Sequence, residues 1–156
     1  QVKQEYGELL ADIVYRIERP AMFDPAVATT RAFTTAMIEW DNSGPTMTSS
    51  ELAALAARIR LSFEAARTHA ETVGMDHVPA QARKEVERAA KAARLAASSK
   101  SRSERASALE QAMRILESLR LYYMPTKAEA EAITGGKTVL ALPGRRRASQ
   151  ESPNAS

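Results

Sequence analysis

The chain has 156 residues, a net charge of +3 and no cysteine, a size at which one domain buries roughly 70% of its unfolded surface without disulfide or metal support. The missing cysteines remove disulfide bonds, thiolate nucleophiles and thiolate zinc sites together, and thirty alanines against eight aromatic residues favour close helix–helix contacts over a wide ligand cavity. No apolar stretch approaches the ~20 residues that span a bilayer as a helix, and no secretory signal is present.

Val2, Tyr6, Leu9, Leu10, Ile13, Val14 and Ile17 recur on one helical face and predict a first helix over residues 2–19. Pro20 stops it, because proline lacks the backbone donor and disfavours helical geometry just before itself. Asp24 followed by Pro25 reads as an N-cap with proline at the first helical position. Met22 and Phe23 then act as a staple that sets the entry angle. This second helix extends to about Trp40 and buries Val27, Phe33, Met37 and Trp40, before the loop Asp41-Asn42-Ser43-Gly44-Pro45.

The longest periodic run comes next. Leu52, Ala56, Ile59, Phe63, Ala66, Ala70 and Val73 alternate at spacings of four and three, which keeps one seam of a helix facing a partner over about six turns. Thr48 with Glu51 supplies a capping box at its start, and Gly74 ends it. A fourth helix over 79–98 carries a narrow face of Ala82, Val86, Ala89, Ala93, Ala96 and Ala97. A fifth, over 102–123, opens on a second capping box, Ser101 with Glu104. It presents Leu109, Ala112, Met113, Leu116, Leu119 and Tyr123. Pro125 terminates the fifth helix, and Thr126 with Glu129 caps a short sixth that ends at Gly135-Gly136.

The fold class that follows is all-α: a single bundle of five main helices and one short one over residues 1–136. An extended strap and a disordered basic tail are expected over 137–156. Thr138 to Leu142 would form the strap, since nothing else in the chain offers a strand to pair with. Periodicity already running at Val2, directly after Gln1, reads as a fragment or processed product, with room for an upstream anchor. Sixteen arginines against six lysines, together with the alanine content, suggest a bacterial source of high GC content. The composition does not fix a location, though it favours the cytoplasm.

Gly136-Lys137-Thr138 matches the end of a phosphate-binding loop, but residue 131 is Glu where that motif needs glycine, and a helix rather than a strand precedes it. The two histidines, His69 and His77, have Ala66 and Gly74 three residues before them, so the Glu-x-x-His pattern of di-iron bundles is missing. Asp76 beside His77 reads as a turn pair that caps a helix. No catalytic residue, cofactor or metal is therefore expected. Arg145-Arg146-Arg147-Ala148-Ser149 resembles a basophilic kinase site as well as a basic patch.

Charge is the property distributed unevenly. Residues 1–42 carry a net charge of −3, whereas residues 83–105 carry +5 through Arg83, Lys84, Arg88, Lys91, Arg94, Lys100, Arg102 and Arg105. The first five of these fall within about 140° on a helical wheel, opposite the alanine face. Glu85 pairs with Arg88 and Glu87 with Lys91 at helical spacing, which leaves Arg83 and Arg94 the freest. Such a stripe suits nucleic-acid phosphates, anionic lipid or an acidic protein. No aromatic is interleaved for base stacking. A protein-facing or solvated stripe is therefore favoured over a nucleic-acid surface. The functional expectation is a non-enzymatic helical interaction or scaffolding domain, whose partner is another protein or a second copy of itself. The alternative is a basic helical nucleic-acid-binding domain using residues 83–105.

Overall fold

Asp12 breaks the first apolar face in two. Its backbone is extended and its side chain accepts a hydrogen bond from the Tyr15 N–H at 3.0 Å, so it caps a new helix within what the spacing predicts as one. The computed structural model describes residues 1–135. Its helices are α1 (Val2–Ala11), α2 (Ile13–Glu18), α3 (Ala28–Ser43), α4 (Ser49–Val73), α5 (Arg83–Ser98), α6 (Arg102–Leu119) and α7 (Lys127–Thr134). The all-α class holds among the described residues, with seven helices in place of six. The strap, the tail, the Gly136-Lys137-Thr138 match and the Arg145–Ser149 motif lie outside the described residues.

Several helix ends differ from expectation for local reasons. Asp24 does not cap α3. Its carboxylate accepts from the Ala26 N–H at 2.9 Å in a tight turn, and α3 begins only at Ala28. Residues Pro20–Phe23 form a 3₁₀ turn with all four side chains buried. The connector before α5 likewise holds the 3₁₀ turn Ala80–Ala82, so α5 starts at Arg83 rather than 79. α6 stops at Leu119 because Arg120 adopts the left-handed conformation (φ 53°, ψ 37°), the usual geometry of a helix stop.

The capping boxes at Thr48–Glu51 and Thr126–Glu129 are both complete. At Ser101 only half the box forms: Glu104 donates its N–H to the Ser101 side chain, but its carboxylate accepts from the Ser99 hydroxyl at 2.7 Å. Gly74 ends α4 at φ 52°, ψ −132°, a backbone region that a Cβ would strain.

Two apolar clusters form the interior. The first joins α1, the Pro20–Phe23 turn, α3 and α4 around Tyr6, Phe23, Phe33 and Phe63. Phe33 packs edge-on against Tyr6 at 5.0 Å and against Phe63 at 5.3 Å between ring centroids, an arrangement that adds to simple area burial. Ile59 and Phe63 are buried, as the heptad spacing requires, but Leu55 takes the buried position expected of Ala56, which faces solvent. An α-helix advances 3.6 residues per turn, so a strict 3.5 repeat drifts off the contact line over a helix this long.

The second cluster is small and alanine-rich. Val86, Ala89, Ala90 and Ala93 of α5 face Ala112, Met113 and Leu116 of α6. Ala97, expected on this face, is exposed. α3 packs on α4 and α5 on α6 as consecutive neighbours, while α2 crosses to α5, so Ile17 belongs to the second cluster and Phe23 to the first.

Candidate functional site

Three connectors meet at one carboxylate. Asp24, from the turn before α3, is 4% exposed. Its Oδ2 lies 2.7 Å from Nε2 of His77, in the α4–α5 connector, and its Oδ1 accepts from the Tyr122 hydroxyl, in the α6–α7 connector, at 2.6 Å. Tyr123 closes the group with its ring edge-on to His77 at 5.0 Å. His77 therefore pairs with Asp24, 53 residues away in sequence, rather than with its neighbour Asp76. An aspartate that orients an imidazole is a familiar element of catalytic triads. Here, however, the carboxylate is shared with a tyrosine, and His77 has no second hydrogen-bond partner among the described residues. The geometry fastens three loops together. Burial first, then the hydrogen bond to Asp24, pushes the Tyr122 phenol up to about 12.

A second tie fixes α7. Arg16 of α2 is completely buried. Its guanidinium pairs with Glu129 of α7 and stands 5.2 Å above the centre of the Phe23 ring. Helical spacing alone does not single out this pair, because an arginine on a helix is ordinarily solvated. The signal was its place on the wheel, beside Ile13 and Ile17 on the apolar face. Glu129 also accepts from the Thr126 N–H, so one carboxylate both caps α7 and docks it.

The two basic residues of 83–105 expected to be the freest are both engaged. Arg83, expected to be among the freest, donates through Nε to the Val78 carbonyl at 3.0 Å and through Nη2 to the Asp76 carbonyl at 3.1 Å, bracing the turn before α5. Arg94, the other, pairs with Glu18 of α2. That expectation is corrected on both counts: the acidic N-terminal segment folds back onto α5 and supplies partners that helical spacing cannot show. Arg88 does pair with Glu85, at 2.8 Å. Lys84, Lys91, Lys100, Arg102 and Arg105 enter no ion pair among the described residues, the expected Glu87–Lys91 pair included.

Arg102 and Arg105 belong instead to a groove. Between the end of α5, the length of α6 and α7 lies an open cleft of about 800 Å³, within the range of ordinary ligand sites. Ala96, Ala106, Leu109, Met113 and Ala130 make its apolar floor. From Arg102 to Glu117 it follows α6 over about 22 Å, given a rise of 1.5 Å per residue. Its charged rim carries Arg102 and Arg105 at one end, the Arg114–Glu110 pair at mid-length, Glu117 and Lys127 toward the other end, and Glu131 on the α7 side. The periodicity that located α6 placed Leu109 and Met113 on its apolar seam but could not reveal this face, because the other α6 residues lining it are polar or small and the depression exists only once α7 is docked.

Among the described residues, no group of three or more His, Asp or Glu side chains comes together as a metal site, and no helix is long and apolar enough to cross a membrane. Comparison with protein-family models, curated proteins and solved structures gave no match.

Proposed function

We propose that this chain is a non-enzymatic α-helical interaction domain, with residues 1–136 acting as one unit, and that the groove along α6 seats a helix from a partner protein or a second copy. The observation that carries the reading is the groove itself: an apolar floor that no described residue fills and that follows one helix over about four turns. Helix-in-groove recognition uses apolar anchors at i, i+3, i+4 and i+7 against such a floor. The ionisable residues drawn together elsewhere, Asp24 with His77 and Arg16 with Glu129, serve to hold loops and helices in place.

The test is a fluorescence-anisotropy titration with a synthetic amphipathic helix of about 15 residues, long enough to match the groove, bearing leucines at helical spacing and only neutral polar residues elsewhere. Saturable binding is expected. It should be lost in the Ala106→Gln/Leu109→Gln variant, whose changes are neutral and line the groove, and retained in Ala53→Gln on the exposed face of α4. Binding that is absent, or indifferent to the groove variant, overturns the proposal.

A further inference from the structure

The charges around the groove are arranged with a direction. Arg102 is the first residue of α6 and Arg105 lies in its first turn, where the partial positive charge of the helix N-terminus makes a cation unfavourable. Neither side chain has an ion-pair partner among the described residues, and both line the groove. At mid-length Arg114 is already matched by Glu110 at 3.2 Å. Beyond it Glu117 and Lys127 offset one another in net charge, and Glu131 of α7 adds a carboxylate with no ion-pair partner among the described residues. The Arg102/Arg105 end therefore carries the uncompensated positive charge of the rim, against a net charge of −1 over the remainder. Two arginines placed against the helix dipole weaken α6 by tenths of a kcal/mol each while no carboxylate among the described residues engages them. A ligand carboxylate there gains from both guanidinium groups and from the dipole at once, with the forked geometry that arginine offers to carboxylates.

We infer that the groove selects an amphipathic helix carrying carboxylates at one end, and that this end lies over Arg102 and Arg105 at the start of α6. The inference rests on the interaction-domain reading and names the chemistry of its partner. The floor supplies most of the affinity and little discrimination. The rim supplies polarity, since charge complementarity at an interface edge acts on partner choice and register more than on raw affinity. Either chain direction is accommodated, because the acidic end can be the N-terminus or the C-terminus of the partner helix.

Three peptides with the same leucine spacing test it, one with a Glu-Glu pair at one end, one with Gln-Gln and one with Lys-Lys, titrated against the full chain by anisotropy. At ~150 mM salt the Glu-Glu peptide should bind about three- to tenfold more tightly than the Gln-Gln peptide, the scale of two rim ion pairs. The Lys-Lys peptide should bind more weakly than either. The preference should shrink as salt rises, because exposed pairs are screened. Arg102→Glu/Arg105→Glu should reverse the order of the Glu-Glu and Lys-Lys peptides while leaving the Gln-Gln peptide unchanged. That variant improves the match to the helix dipole, so loss of fold is not expected, and an unchanged circular dichroism melt verifies this.

Equal binding of all three peptides to the wild-type chain overturns the inference and leaves the interaction-domain reading standing. Binding of none of them overturns both. Displacement of the Glu-Glu peptide by a duplex oligonucleotide would place a nucleic acid at this end and overturn the inference as well.

Discussion

Replacing Glu129 with glutamine removes one charge and little else. The amide keeps an acceptor for the Thr126 N–H that caps α7, but the guanidinium of Arg16 loses its counter-ion. Arg16 has a side-chain exposure of 1%, whereas Glu129 has 23%, and this asymmetry sets the magnitudes. Breaking a buried ion pair by deleting one partner costs about 3–5 kcal/mol when the survivor is sealed from water. The Phe23 ring face 5.2 Å from Arg16 Cζ is present in both proteins and cancels from the difference, whereas the partial exposure of Glu129 keeps the pair short of full burial and the cost at the low end. Glu129→Gln should therefore destabilise by about 3 kcal/mol. In a domain of this size that lowers the melting midpoint by roughly 5–10 °C. Arg16→Met orphans the other partner, whose carboxylate reaches water and still caps α7, and the relieved desolvation of a buried guanidinium offsets the lost Phe23 contact, so about 1 kcal/mol or less is expected. The double variant should be no worse than Arg16→Met, because an apolar side chain in the Arg16 site leaves no charge to orphan. Urea melts of the four proteins, followed by circular dichroism, complete the double-mutant cycle. A cost for Glu129→Gln within ~0.5 kcal/mol of zero, or one smaller than that of Arg16→Met, would refute the argument, since the order follows directly from which partner is sealed.

Phe63→Ala in the first core should cost about 3–5 kcal/mol through lost transfer energy and a residual cavity; a denaturant melt showing less than about 1 kcal/mol would mean α4 does not bury its seam. Arg120→Gly should stabilise by up to about 1 kcal/mol, because the left-handed backbone at φ 53° is strained for arginine and free for glycine; a melt that falls would contradict it. Burial raises the phenols of Tyr6, Tyr15, Tyr122 and Tyr123, with Tyr15 and Tyr122 brought to about 12. The unfolded chain then ionises first above pH ~10, so this stabilisation is complete below pH ~10 and is lost as pH rises through the folded values. A 295 nm titration should show no phenolate step near pH 10 before unfolding, and a midpoint there in the folded protein argues against the buried geometry. Finally, no saturable binding of duplex DNA is expected at ~150 mM salt; binding with a log–log salt slope near −3.6, the signature of about four phosphate contacts, would favour a nucleic-acid function instead.

Helix content and most helix starts were legible because their causes are local. Thr48 with Glu51 and Thr126 with Glu129 form the caps that their spacing implies, and Ile59 and Phe63 lie on the buried seam. The break at Asp12 and the late start of α3 were less legible, since a short polar side chain can cap a helix or bind its own turn equally well. The sites depend on which helices meet. Arg83 and Arg94 are engaged because carbonyls of the preceding connector and Glu18 of α2 come to rest beside them. His77 finds Asp24 rather than Asp76 only when the connector before α5 folds over the turn before α3. Sequence alone determined an α-helical chain with apolar seams on its long helices, because periodicity and capping act over three or four residues. Tertiary structure alone decided the Arg16–Glu129 pair, the three-loop junction at Asp24 and the groove along α6, because each joins groups distant in sequence whose pairing energy exists only after the helices have packed.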